Sequence, residues 1–185
     1  MCAGNLAFSC GPGNFPGDAL ERFTQFALEC LQQNESKFEL KETAMNYFSE
    51  IAKILKSQMA QIIPMIIEPI LAATETQISS VKVDNKEGGA EFDLDSEDDD
   101  DEEIMMDLEG VDEQVAAVHA LGNLSLYCSG IMQPHLERVC EALLKLSAYE
   151  HENVRYHVCL TLTQIGFGIL RLSLGKQDSD DKIEW

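Results

Sequence analysis

The densest reactive chemistry in this chain is a crowd of carboxylates between Glu91 and Glu109, in EFDLDSEDDDDEEIMMDLE. Twelve of these nineteen residues are acidic: Glu91, Asp93, Asp95, Glu97, Asp98, Asp99, Asp100, Asp101, Glu102, Glu103, Asp107 and Glu109. None is basic. Together they carry −12 of a net charge of −20 and leave −8 for the rest of the chain. The acidity is therefore concentrated, and is not a general solubility device. Such a run attracts basic partners through long-range Coulomb forces, and it works against binding nucleic-acid phosphates. A calcium loop fails. Asp93, Asp95 and Glu97 fall on the first, third and fifth ligand positions, but Asp98 replaces the required Gly and Ile104 the required bidentate Glu. Ser96 precedes Glu97, Asp98 and Asp99, a context that acidophilic kinases favour, and phosphate there would add about −2 of charge. The apolar residues Phe92, Leu94, Ile104, Met105, Met106 and Leu108 could fold the segment against a partner.

Other reactive side chains form no constellation. His119, His135, His151 and His157 have no Ser or Asp at a spacing that suggests a triad, and no glutamate pair stands out. The glycines of GNL (Gly122) and GFG (Gly166, Gly168) fall inside helical patterns, so no phosphate-cradling loop is expected. The reading is of a non-enzyme with no cofactor and no metal, on a helical framework that offers no cleft. The six cysteines, Cys2, Cys10, Cys30, Cys128, Cys140 and Cys159, form no CxxC pair, which predicts reduced and mostly buried thiols in the cytosol or nucleus. The N-terminus lacks the charged and apolar regions of a signal peptide. The longest apolar run, about 62–73, is broken by Pro64, Glu68 and Pro69. It falls short of the roughly 20 residues that span a bilayer, so no membrane insertion is expected.

The elements that must position the acidic run read as helices throughout. Leu20, Phe23, Ala27, Cys30 and Leu31 define one apolar face, and Leu40, Ala44, Tyr47, Phe48, Ile51 and Leu55 a second. Residues 59–74 are apolar nearly all round, as a helix with neighbours on several sides would be. Val111, Val115, Val118 and Leu121 mark a fourth helix. Leu136, Val139, Cys140, Leu143 and Leu144 mark a fifth, and Val154, Val158, Leu162, Ile165 and Ile169 a sixth. Asn153 stands where a cap for the last helix is expected.

These helices pair into repeats. ENVRYHVCLTLTQI aligns with VDEQVAAVHALGNL at an offset of 41 residues, setting Ile165 on Leu124 and Arg155 on Gln114. VDEQVAAVHALGNL aligns with FELKETAMNYFSEI at an offset of 73, setting Leu124 on Ile51 and Gln114 on Lys41. The excess of 32 is about the length from Gln77 to Leu108. Without that stretch both offsets match the roughly 40–47-residue period of HEAT-type hairpins. The acidic segment is thus an insertion between the two helices of the middle hairpin. Closure entropy grows slowly with loop length, so an insertion there is tolerated, and self-repulsion should keep it extended. The expected architecture is an all-α solenoid: a leader (1–17), hairpins at 18–57, 58–130 and 131–174, the insertion at about 77–108, and a tail (175–185). Arg155 and Asn153 are expected to tie adjacent hairpins together.

GIMQPHLERVCEALLKLSAYEHENVR, with Pro134 early in one helix and NVR opening the next, resembles the importin-β (karyopherin-β) family, nearest to its importin-4 and importin-5 branches. VDEQVAAVHALGNL is similar to that family's second helices. The resemblance covers about residues 18–174. It implies a middle portion of a longer nuclear import receptor, working between cytoplasm and nucleus and at the nuclear pore. The implied partners are the small GTPase Ran, basic cargo of the histone or ribosomal-protein type, and Phe-Gly nucleoporins. It also implies that the acidic segment meets either Ran or cargo. A HEAT scaffold of a regulatory or chromatin complex, and an acidic chaperone for histones or ribosomal proteins, are the alternatives. End hairpins of such an array should expose apolar surface that neighbours would cover.

Overall fold

A computed structural model describes residues 17–33, 37–75 and 99–175, with residues 99–109 described by their backbone alone. The described residues are all-α with no strand. The helices are α1 (Gly17–Gln32), α2 (Phe38–Leu55), α3 (Ile63–Thr74), α4 (Asp99–Tyr127), α5 (Ser129–Met132), α6 (Leu136–Leu146) and α7 (Glu152–Ser173). Short 3-10 turns, Lys56–Gln61 and Gln133–His135, lead into α3 and α6.

Local sequence accounts for these bounds. Pro64 sits in the first turn of α3, where its missing N–H costs nothing. Pro69 lies inside the helix, which nevertheless runs on because Ile63, Ile66, Ile67, Ile70 and Leu71 are all buried. The expectation of neighbours on several sides holds, since α3 packs against α1, α4 and α6. The fourth helix starts at Asp99, well before Val111. Consecutive acidic residues suit a helix N-terminus because they complement its dipole. Extended chain is therefore not what residues 99–108 adopt. His151, not Asn153, occupies the N-cap of α7 and makes no side-chain cap bond.

The core lies between two rows of helices. In one row α4 packs between α2 and α7, through the two most extensive interfaces of the molecule. In the other, α3 packs against α1 and α6. Each row also meets the other through α1–α2, α3–α4 and α6–α7. The chain turns by 117° between Phe38–Gln61 and Ile63–Thr74, and by 113° between Gly110–Tyr127 and Ser129–Leu146.

Burial follows the sequence offsets. Ala44, Tyr47, Phe48 and Ile51 of α2 are buried, as are Ala117, Ala120, Leu121 and Leu124 of α4, 73 residues on. A further 41 residues on, Val158, Thr161 and Ile165 of α7 are buried and Leu162 is partly so. The offset of 73 also pairs buried Met59 with Met132, Ile66 with Val139, and Ile70 with Leu143. Four residues expected on inward stripes point out instead: Phe23, Leu40, Leu144 and Ile169 are exposed. Of the four described cysteines, Cys30 and Cys128 are buried, Cys140 is half-buried and Cys159 is exposed, and none of the four is in a disulfide.

Small and polar residues set the row's close spacing. Gly168 brings the α7 backbone against the Ser125 carbonyl, and a Cβ there would lie 2.4 Å from that oxygen. Gly122 receives the Gln164 and Thr161 side chains. Thr161 donates to the Val118 carbonyl at 2.9 Å. The Gln164 amide donates to Asn123 Oδ1 at 3.1 Å, and Asn123 Nδ2 donates to Ser49 Oγ at 2.6 Å. One polar chain, buried at Ser49 and Asn123 and half-buried at Gln164, therefore crosses α2, α4 and α7. Each such bond is worth about 1 kcal/mol net, and more is lost if one partner is left alone.

Candidate partner-binding site

Of the sequence-predicted site, Glu91, Asp93, Asp95, Ser96, Glu97 and Asp98 lie outside the described residues. Asp99 to Glu103, Asp107 and Glu109 belong to the N-terminal part of α4. The backbone thus carries the second half of the acidic run directly into the helix at the centre of the α2–α4–α7 row.

One turn beyond Glu109, at the foot of this run, α1, α2, α3 and α4 line an open cleft of about 500 Å³. Leu31, Met45 and Ala73 give it apolar walls, and Ala72 stands exposed at its edge. Glu113 of α4 lines it and is only 2% exposed. Among the described residues it forms no ion pair and no side-chain hydrogen bond. Burial raises its pKa, and the charge of Lys41, which lines the same cavity, opposes that rise. Glu68, also on the wall, is engaged by Arg138 of α6 through two bonds, of which the Nη2–Oε2 contact is 2.9 Å. The expectation of no cleft is thereby corrected: it considered single hairpins, and the cavity forms where two of them meet.

Sequence reasoning passed over Glu113, yet a signal for it existed. In the repeat alignment Glu113 falls on Leu40 and on Val154, and Val154 is buried. A carboxylate at an otherwise apolar repeat position is unusual because charge is costly to bury without a partner.

The remaining candidates have structural roles. Arg155 Nη1 donates to the Tyr149 and Glu150 carbonyls at 2.6 Å each, closing the turn of its own hairpin instead of joining two. His119 is held beside Asn123, 3.3 Å from its amide, and burial lowers its pKa. Its ring lies 6.4 Å from that of His157. Among the described residues no group of His, Cys, Asp or Glu could hold a metal ion, and no single helix is long and apolar enough to cross a membrane.

A second surface lies on the outer side of α7. Tyr156, Cys159, Leu160, Thr163, Gly166, Phe167 and Leu170 are exposed. From Tyr156 to Leu170 the helix has no Asp, Glu, Lys or Arg, in a chain that is 25% charged. Val118, Gly122 and Ser125 on α4 receive α7, and an offset of 41 maps them onto Cys159, Thr163 and Gly166. Compared with family models, with characterised proteins and with solved structures, the chain matches none, and its likeness to the importin-β family stands on the quoted motifs alone.

Proposed function

We propose that the chain is a stack of three HEAT-type hairpins acting as a protein-binding scaffold, and that it serves as part of a nuclear import receptor of the importin-β type. In this reading it holds a basic cargo, passes the pore by weak contacts with Phe-Gly nucleoporins, and releases the cargo to Ran-GTP. The observation that carries the scaffold reading is the recurrence of burial at offsets of 73 and 41 residues, from Ile51 to Leu124 to Ile165. The same difference of 32 residues isolates the acidic segment as an insertion in the middle hairpin. Two further features support it. The two connections between hairpins turn by similar angles, 117° and 113°. The uncharged outer face of α7 has the composition of a surface meant to be covered.

Coulomb attraction assigns the insertion to a basic protein surface. Each exposed pair is worth about 0.2–1 kcal/mol, so the attraction must come from many charges together. The test is deletion of residues 77–108 behind a short Gly-Ser link. The variant should keep its helical circular dichroism and a cooperative melt, and lose binding to a lysine-rich histone-tail peptide. Loss of the cooperative melt would overturn the insertion reading. Retained binding would overturn the role assigned to the segment.

A further inference from the structure

We propose that the cavity between the first two hairpins is a docking pocket for one lysine or arginine side chain of the basic partner, with Glu113 as its counter-charge. The proposal rests on the basic-partner reading above and names the place where one residue of that partner is read.

The shape and chemistry are those of a long cationic side chain. Leu31, Met45 and Ala73 contribute apolar surface to the cleft, along which an aliphatic stem can lie. Glu113 waits at the wall, 2% exposed and with no ion-pair or hydrogen-bond partner among the described residues. A carboxylate held largely out of water, reaching it only at the cleft, is stabilised when a cation joins it there. Glu68, the other carboxylate on the wall, is already committed to Arg138. Lys41 lines the same cleft and its charge offsets part of the cost of burying Glu113, but the two form no ion pair, which leaves the carboxylate open to a second cation. An anionic or wholly apolar occupant would leave Glu113 unpaired. A volume of about 500 Å³ is ample for a lysine or arginine side chain with waters, which take about 30 Å³ each. Glu113 follows Glu109 by one turn of α4, so a basic segment drawn in by the acidic run arrives beside the pocket.

Salt separates the pocket from the run. Exposed charges are screened at high ionic strength and buried pairs much less so. The experiment uses the full chain and a fluorescent peptide of five lysines spaced by glycine and alanine, with its fully acetylated form as control. Binding is measured at low salt and at roughly 0.5 M salt. Glu113→Gln removes the charge while keeping the shape. Ala72→Trp plugs the entrance and leaves every charge in place. Glu113→Gln should weaken the peptide about thirtyfold or more, as losing one partner of a buried charge pair does, Ala72→Trp should weaken it by at least about tenfold, and both losses should persist at high salt. Neutralising Asp98 to Glu103 should weaken it at low salt only. Circular dichroism checks that each variant is folded. If both pocket variants bind like wild type while the neutralised run does not, the pocket assignment is wrong and the basic-partner reading stands. If the peptide binds no better than its acetylated form in wild type, the basic-partner reading itself is overturned, and the pocket assignment with it.

Discussion

Gly166 and Gly168 sit two residues apart on α7 and should respond in opposite directions to the same substitution. In a helix interior, alanine is favoured over glycine by about 1 kcal/mol. A Cβ at Gly166 meets nothing within 4 Å, so Gly166→Ala should gain about that amount. A Cβ at Gly168 would stand 2.4 Å from the Ser125 oxygen, 3.3 Å from its carbon and 3.4 Å from Ser129 Cβ. The nearest of these atoms is backbone, so no side chain can swing away. Helix α7 must instead move off α4 by most of an ångström. That movement lengthens the Thr161–Val118 and Gln164–Asn123 bonds and opens packed surface. Overpacking of this kind costs about 1–3 kcal/mol, against which the helix gain of about 1 kcal/mol is set. Gly168→Ala should therefore lose up to about 2 kcal/mol. Propensity cancels between the two variants, so their difference, about 1–3 kcal/mol, isolates the close approach of α7 to α4. Urea unfolding followed by circular dichroism measures it, with a Tm gap of about 2–4 °C per kcal/mol as a second readout. Equal effects at the two positions would refute the close packing of this row.

Other predictions follow from burial. Leu143→Ala should cost about 2–5 kcal/mol because Leu143 is fully buried, whereas Leu144→Ala, one residue on but 61% exposed, should change stability by less than about 0.5 kcal/mol; chemical denaturation of both variants compares them directly. Glu113 has its pKa raised by burial, so it favours folding at acid pH and this contribution is lost as pH rises through the folded value. Glu113→Gln should accordingly be more stable than wild type at neutral pH, with the difference vanishing below the ordinary glutamate pKa; melts across a pH series test the sign. His119 has its pKa lowered by burial, so its contribution is present above the ordinary histidine value and is lost as pH falls through the folded one. A His119→Gln variant should flatten that acid-side loss in the same series.

Much of the helical framework was legible because apolar residues recur with the helical period, and because two alignments of the chain with itself bring Ile51, Leu124 and Ile165 together. What escaped has physical reasons. The helical start at Asp99 was hidden because a dense acidic run reads as self-repelling chain, while the helix dipole favours the same charges at an N-terminus. Leu144 and Ile169 lie at the edge of their stripes, where period alone does not say which side faces a neighbour. Asn153 has a capping side chain, but the helix starts one residue earlier, after His151. The Glu113 cavity needs four helices from two hairpins to exist, and no spacing within one helix announces it. Only the repeat alignment, which sets Glu113 against Leu40 and Val154, marked the place.

On the function proposed above, the acidic run captures basic partners. The most direct measurement titrates a histone-tail peptide and Ran-GTP separately onto wild type and onto a variant with Asp98 to Glu103 replaced by Ser and Asn, at low and high salt. Fast association at low salt is expected for at least one of the two ligands, with a marked loss in the neutralised variant and little effect of any single substitution. Loss confined to Ran-GTP would make the run a release sensor, and loss confined to the peptide would make it part of the cargo site. Unchanged affinities and association rates for both ligands would contradict the claim and reduce the run to a linker.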